Sequence, residues 1–205
     1  MRWKIIFVNG GVVMVVAVLT YFLLAASLSS VVANPAEQKR ELARALRGAS
    51  SQLALDGLRM ERWLAQQVVT RPVREVYQGG TAAARSDWAT SAANALRDRA
   101  AAEPDFARMA PALVLFVDER GVGIGRNGSA LMRGDRVAES YPGLASALES
   151  GLTRSDVWIH RERQEQMLVS YAPVRDERGR ILGALVLGTP LNDERLGRTS
   201  ELTSG

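Results

Sequence analysis

One histidine, His160, and no cysteine leave this 205-residue chain few of the groups from which metal sites and nucleophiles are built. Without cysteine there is no disulfide framework, thiolate ligand or thiol nucleophile. A lone histidine cannot form a two-histidine metal motif. Ser155 and Asp156 lie near His160 in sequence, but neighbours along a strand cannot give one another the geometry of a triad. Asp135, Asp156 and Asp193 lack the spacing of a cation-binding loop. Gly123-Ile124-Gly125-Arg126-Asn127-Gly128 has the glycine spacing of a dinucleotide loop, which must sit between a strand and a helix. A hairpin turn precedes it here, so the glycines read as points of close approach or a bulge. The expectation is a protein that is not an enzyme and holds no metal and no cofactor.

The composition suits a globular chain: 47% of residues are hydrophobic and 23% charged. The length allows one domain plus an appendage. All basic residues except Lys4 and Lys39 are arginine, and the net charge of +4 is small and scattered, so no nucleic-acid partner is expected.

The appendage is at the N-terminus. Ile5 to Leu28 carries no charge, and as a helix it would cover the roughly 30 Å of a hydrocarbon core. A cleaved leader would use Arg2 and Lys4 as its basic end and Val31-Val32-Ala33 as its cleavage site. The apolar core of such a leader is about 7–15 residues, shorter than this run, which favours a retained transmembrane anchor. Basic residues flank both ends: Arg2 and Lys4 before, Lys39, Arg40, Arg44 and Arg47 after. The short tail and leader-like layout favour a cytoplasmic tip and an extracytoplasmic body on a bacterial inner membrane.

Asn34-Pro35-Ala36-Glu37 is a helix start, and the helix reads on to about Val69. Leu42, Leu46, Ala49 and Leu53 are spaced by four, three and four, and Met60 and Leu64 resume the stripe. Part of this stripe is expected to pack on the domain and part on a second copy, as in a short coiled coil. Pro72 and Gly79-Gly80 end the helix. A second, alanine-rich helix over Thr81–Ala102 is expected to turn Trp88, Ala92, Ala95 and Leu96 inward.

Strands follow. Leu113–Val117 and Val122–Arg126 form a hairpin around Asp118-Glu119-Arg120-Gly121, and a short helix is expected over Gly143–Glu149. Asp156–Arg163 and Gln166–Arg175 read as two more strands. The turn then recurs letter for letter as Asp176-Glu177-Arg178-Gly179, before a last strand over Arg180–Leu187. The fold class is α+β: a transmembrane helix, a long membrane-proximal helix, then a five-stranded antiparallel sheet with its helices on one side. The expected divisions are residues 1–33 for tip and anchor, 34–80 for the long helix, 81–190 for the sheet domain and 191–205 for a polar tail.

The order of parts, with LVLFVDERGVGIGRNG at 113–128 and SYAPVRDERGRILGALVLGTP at 170–190, resembles the Cache superfamily, the PAS-like extracytoplasmic sensor domains of bacteria. Pro173, Arg175, Asp176, Gly179 and the Ile181–Leu185 stretch carry the likeness of the final hairpin, and the resemblance covers roughly residues 35–190 as one single-Cache unit. It implies signal transduction by small-molecule binding in the periplasm. Such sensors usually continue through a second span into a signalling domain, and none follows here: either the sensor acts on a separate signalling partner, or the output domains were lost or never included.

A PAS-like sheet offers a concave face to a ligand. Trp158 and His160 share one direction on their strand, and Met167, Val169 and Tyr171 share a face on the next. Trp158 and Tyr171 would form an aromatic wall, with Arg126 or Arg161 available to a carboxylate or amino-acid ligand. The amine-binding motif of double-Cache domains is missing. The function expected is a membrane-anchored, homodimeric sensor, its span in contact with membrane lipid, signalling through Leu42, Leu46, Ala49, Leu53, Met60 and Leu64. The alternative is an envelope adaptor whose sheet binds another protein.

Overall fold

The computed structural model describes residues 35–160 and 165–191. The expected membrane span over Ile5–Leu28 lies outside them, and among the described residues no helix is long and apolar enough to cross a membrane. The chain divides into two compact units, Met1–Arg47 and Gly48–Gly205. Of the first, the described part is the opening of helix α1 (Pro35–Gln67). The second holds the rest of α1 and everything after it.

Thr70 leads into the short helix α2 (Arg71–Glu75), which carries Pro72 in its first turn, where a missing N–H is harmless. Helix α3 (Ala82–Ala101) starts at Thr81, whose hydroxyl oxygen accepts the Ala84 amide at 3.2 Å. After a 3₁₀ turn at Pro104–Phe106 come strands β1 (Leu113–Asp118) and β2 (Gly123–Arg126). Helices α4 (Val137–Ser140) and α5 (Pro142–Ser150) precede β3 (Arg154–His160), β4 (Glu165–Arg175) and β5 (Ile181–Pro190). The strands form one antiparallel sheet in the order β2-β1-β5-β4-β3.

The repeated tetrapeptide makes the same turn twice. Asp118 Oδ1 accepts the amides of Arg120 and Val122, both at 2.9 Å, and Asp176 Oδ1 accepts those of Arg178 and Arg180 at 2.9 Å. The glycine of each turn takes a left-handed conformation, φ +74° at Gly121 and +83° at Gly179. Because β1 and β5 run antiparallel, with Asp118 opposite Gly183, the two turns sit at the same end of the sheet.

Helices cover both faces of the sheet, not one as the sequence suggests. On the first face, Met60, Trp63 and Leu64 of α1 and Ala89, Ala93 and Leu96 of α3 pack on Val114, Phe116, Leu168, Leu185 and Leu187. On the second, Val137 of α4 and Leu144 and Ala147 of α5 pack on Leu115, Val117, Val169, Tyr171 and Val186. The physical sign is in β1, β4 and β5, whose apolar residues run on without alternation because both sides are buried. The inner face of α3 also differs. Ser86, Ala89, Ala93, Leu96 and Ala100 are buried, whereas Trp88 is half exposed beside Gly80 and Ala95 faces solvent. Alanine on every side of this helix erases the contrast from which a phase is read.

The glycines of Gly123–Gly128 lie in and after β2, with no helix following directly. A Cβ on Gly125 would stand 2.8 Å from the Ser86 carbonyl oxygen of α3, and one on Gly123 would collide with the Met132 carbonyl on the opposite face. The glycines thus admit close neighbours on both sides of the strand, and the β1–β2 ladder carries an irregularity between Phe116 and Val117.

Candidate functional site

Strand register places the second face residue by residue. Trp158 pairs with Met167, Asp156 with Val169, Arg154 with Tyr171 and His160 with Glu165, so all eight side chains belong to one side. The row continues from Tyr171 to Val186, Leu115 and Arg126. Arg126 and Arg154 therefore stand on opposite edges of the same face, four interstrand steps or roughly 19 Å apart.

At the β3–β4 end of this face, Tyr141 stacks flat on Trp158, with ring centroids 3.8 Å apart and 9° between the planes. Tyr141 is the residue before Pro142, which opens α5, so the start of the helix delivers the ring to the sheet. Trp158 is only 4% exposed, and its indole Nε1–H has no acceptor among the described residues. A buried donor without a partner is costly and uncommon in a native fold.

Beside this stack, Gly143 of α5 is pressed against Tyr171 and Asp156. A Cβ there would stand 2.1 Å from Tyr171 Oη and 2.6 Å from Asp156 Oδ2, so the phenol and the carboxylate converge on the first turn of the helix. That turn favours negative charge through its free amides. Burial, with the Asp156 charge second, pushes the Tyr171 phenol up to about 12. Tyr171 is therefore a neutral hydroxyl at every physiological pH. Burial also raises Tyr141.

Trp158, Met167 and Tyr171 thus gather at one end of the face, together with Tyr141, Gly143 and Asp156, which the sequence reading did not include in the wall. His160 is exposed near the end of β3. Arg126 is held at the far edge, donating from Nε to the Asn127 carbonyl at 3.3 Å and touching Met132 Sδ at 3.9 Å. Three strands separate it from β3, which carries Trp158. Arg161 lies outside the described residues. Among the described residues no group of three acidic or histidine side chains is placed to hold a metal ion.

No family model and no curated protein matches the chain. Solved structures do. The V. cholerae histidine kinase DctB sensor domain superposes with a TM-score of 0.58 at 13% identity, over 80% of this chain and 58% of that one. The E. coli DcuS sensor domain gives a TM-score of 0.50 at 19% identity, over 74% of this chain and 96% of that one. The chain shares the fold of these two sensor domains. The later part of α1 packs on the first face of the sheet, opposite Trp158. Met60 and Leu64 are wholly buried there and Leu53 is partly buried, so they belong to the core of a single chain. Leu42 and Leu46 are each 61% exposed, and Ala49 is intermediate. A polar seam joins α1 to the sheet: Ser155 Oγ donates to Glu61 Oε1 at 2.7 Å and lies 2.7 Å from Ser170 Oγ.

Proposed function

We propose that this chain is a membrane-anchored, extracytoplasmic sensor domain whose small-molecule ligand binds between α5 and the β3–β4 end of the Cache-type sheet. The observation that carries the reading is the buried, unpartnered Nε1–H of Trp158 beside the Tyr141 ring. A ligand with an acceptor group, such as a carboxylate or amino acid, would take that donor and displace Tyr141. Tyr171, Met167 and Asp156 line the same end, and His160 stands at its rim.

Transmission has a physical route. Trp158 and Ser155 are on the same strand but on opposite faces, and Ser155 meets α1 at Gly57 and Glu61. A Cβ on Gly57 would stand 3.0 Å from Ser155 Oγ, so a change of curvature in β3 acts directly on the helix. The exposed Leu42 and Leu46 would face a second copy, and a small shift or rotation of α1 would bias a two-state dimer read by a separate signalling partner.

The test is a thermal-shift screen of the full chain in detergent against amino acids, carboxylates, amines and purines. A ligand at 100 times its Kd stabilises by about 2.7 kcal/mol. One class should raise the melting temperature, and Trp158→Phe should abolish the rise. Polar replacement of Leu42 and Leu46 should leave ligand binding intact and weaken dimerisation. No stabilising ligand in a folded sample would refute the reading. One observation favours the adaptor alternative: β3 is an edge strand whose Val157 and Ile159 are exposed, an arrangement open to strand addition by a partner protein. A screen without hits, and a protein co-purifying through β3, would support it.

A further inference from the structure

At the end of the sheet that carries the two repeated turns, a groove of about 610 Å³ separates the segment after α1 from the β4–β5 hairpin. Arg74 and Tyr77 form one wall, and Arg175, Arg178 and Arg180 the other, with Asp176 and Glu177 at the turn. Tyr77 packs on Phe116, which lies on the first face, so this groove is not the one at Trp158.

The carboxylates do not neutralise it. Asp176 is engaged by the Arg178 and Arg180 amides and by the Arg180 guanidinium at 3.3 Å, and Glu177 is exposed on the turn. Arg175 spends its two Nη groups on the carbonyls of Gly179 at 2.8 Å and Gly151 at 3.0 Å. Arg74 has a fully buried Nε–H with no acceptor among the described residues. Arg85, whose charge acts on the Tyr77 hydroxyl, has the same unpaired Nε–H. Arg178 lies on the exposed turn, and among the described residues its guanidinium is in no ion pair. A buried cationic donor without an acceptor costs more than a neutral one, and the acceptor it calls for is an anion.

We propose that this groove binds a small polyvalent oxyanion, with the guanidinium groups of Arg74 and Arg178, both in its lining, as its principal donors. Arginine forks take carboxylate and phosphate oxygens alike, and the volume is that of a small-molecule site. The site is separate from the sensor face proposed above and does not depend on it.

The experiment is isothermal titration of the full chain in detergent with inorganic phosphate and, separately, with citrate, at ionic strength held constant with sodium chloride. The expected result is saturable binding of one of the two anions. Arg74→Gln should weaken it about tenfold or more, the size of one lost charge-assisted hydrogen bond. Arg178→Gln, at an exposed turn position whose geometry is fixed by Asp176 and Gly179, should weaken it without affecting the circular dichroism spectrum. Trp158→Phe should leave it unchanged. Absence of saturation with both anions would overturn the proposal. So would binding indifferent to Arg178→Gln, which marks an adventitious ion only, or binding lost in Trp158→Phe, which places the anion at the sensor face.

Discussion

Tyr77→Phe removes a single oxygen atom from a position where the structure assigns it a defined task. The Tyr77 hydroxyl lies 3.0 Å from the Val117 carbonyl oxygen and 3.1 Å from that of Ala184, which are cross-strand partners in β1 and β5. Its one proton is shared between two ladder carbonyls. The residue before Ala184, Gly183, has φ +153°, and a Cβ there would lie 2.1 Å from Val117 O and 2.7 Å from Tyr77 Cε1. The ring stays in place in the variant because it packs on Phe116 at 6.2 Å between centroids, so no cavity forms. What is lost is the hydroxyl donor to two buried ladder carbonyls, which costs about 1–3 kcal/mol. For a domain of roughly 150 residues each kcal/mol lowers Tm by about 2–4 °C. The expected fall is thus on the order of 2–12 °C. Circular dichroism melting, with guanidinium titration to confirm an unchanged m-value, measures it. A Tm within 1 °C of the parent would refute the assignment of the hydroxyl to the ladder.

Two further outcomes follow from the second face. Tyr171 has a folded-state affinity for its proton raised to about 12, above the ordinary 10 of an unfolded tyrosine, so the unfolded chain loses that proton first. The stability this contributes is complete below pH 10 and is lost as pH rises from 10 to 12. Denaturation curves between those values should show a shallower decline in Tyr171→Phe than in the parent, and equal slopes would contradict the buried phenol. Gly143→Ala should drive the first turn of α5 away from Tyr171 Oη and Asp156 Oδ2, costing about 1–3 kcal/mol as overpacking. Near-ultraviolet circular dichroism of the Tyr141–Trp158 pair should change with it; an unaltered spectrum and Tm would count against the packing described.

Most of the architecture is legible in the chain because it is encoded locally. The Asp-Glu-Arg-Gly turns carry their own hydrogen-bond acceptor and left-handed glycine, so two copies make one geometry. Met60 and Leu64 repeat at helical spacing, and both enter the core. The site is less legible because its pairs join distant segments. Tyr77 meets Ala184 across 107 positions, and Tyr141 reaches Trp158 only because Pro142 starts a helix there. Arg126 shares a face with Trp158 through the strand register, and strand order, which the sequence does not reveal, separates the two by the width of the sheet. The α3 helix misleads for a compositional reason: the most hydrophobic candidate, Trp88, lies outside a buried stripe of small residues that lets the helix approach the sheet closely.

The central claim is that a small molecule binds against Trp158. The most direct measurement is a titration of the tryptophan indole N–H resonances of the uniformly ¹⁵N-labelled chain with each compound class, the Trp158 signal being assigned by its loss in Trp158→Phe. The account predicts that one class shifts the Trp158 resonance saturably and leaves that of Trp63, on the opposite face, in place. A compound that stabilises the protein without moving Trp158, or a Trp158 resonance indifferent to every class, would contradict it.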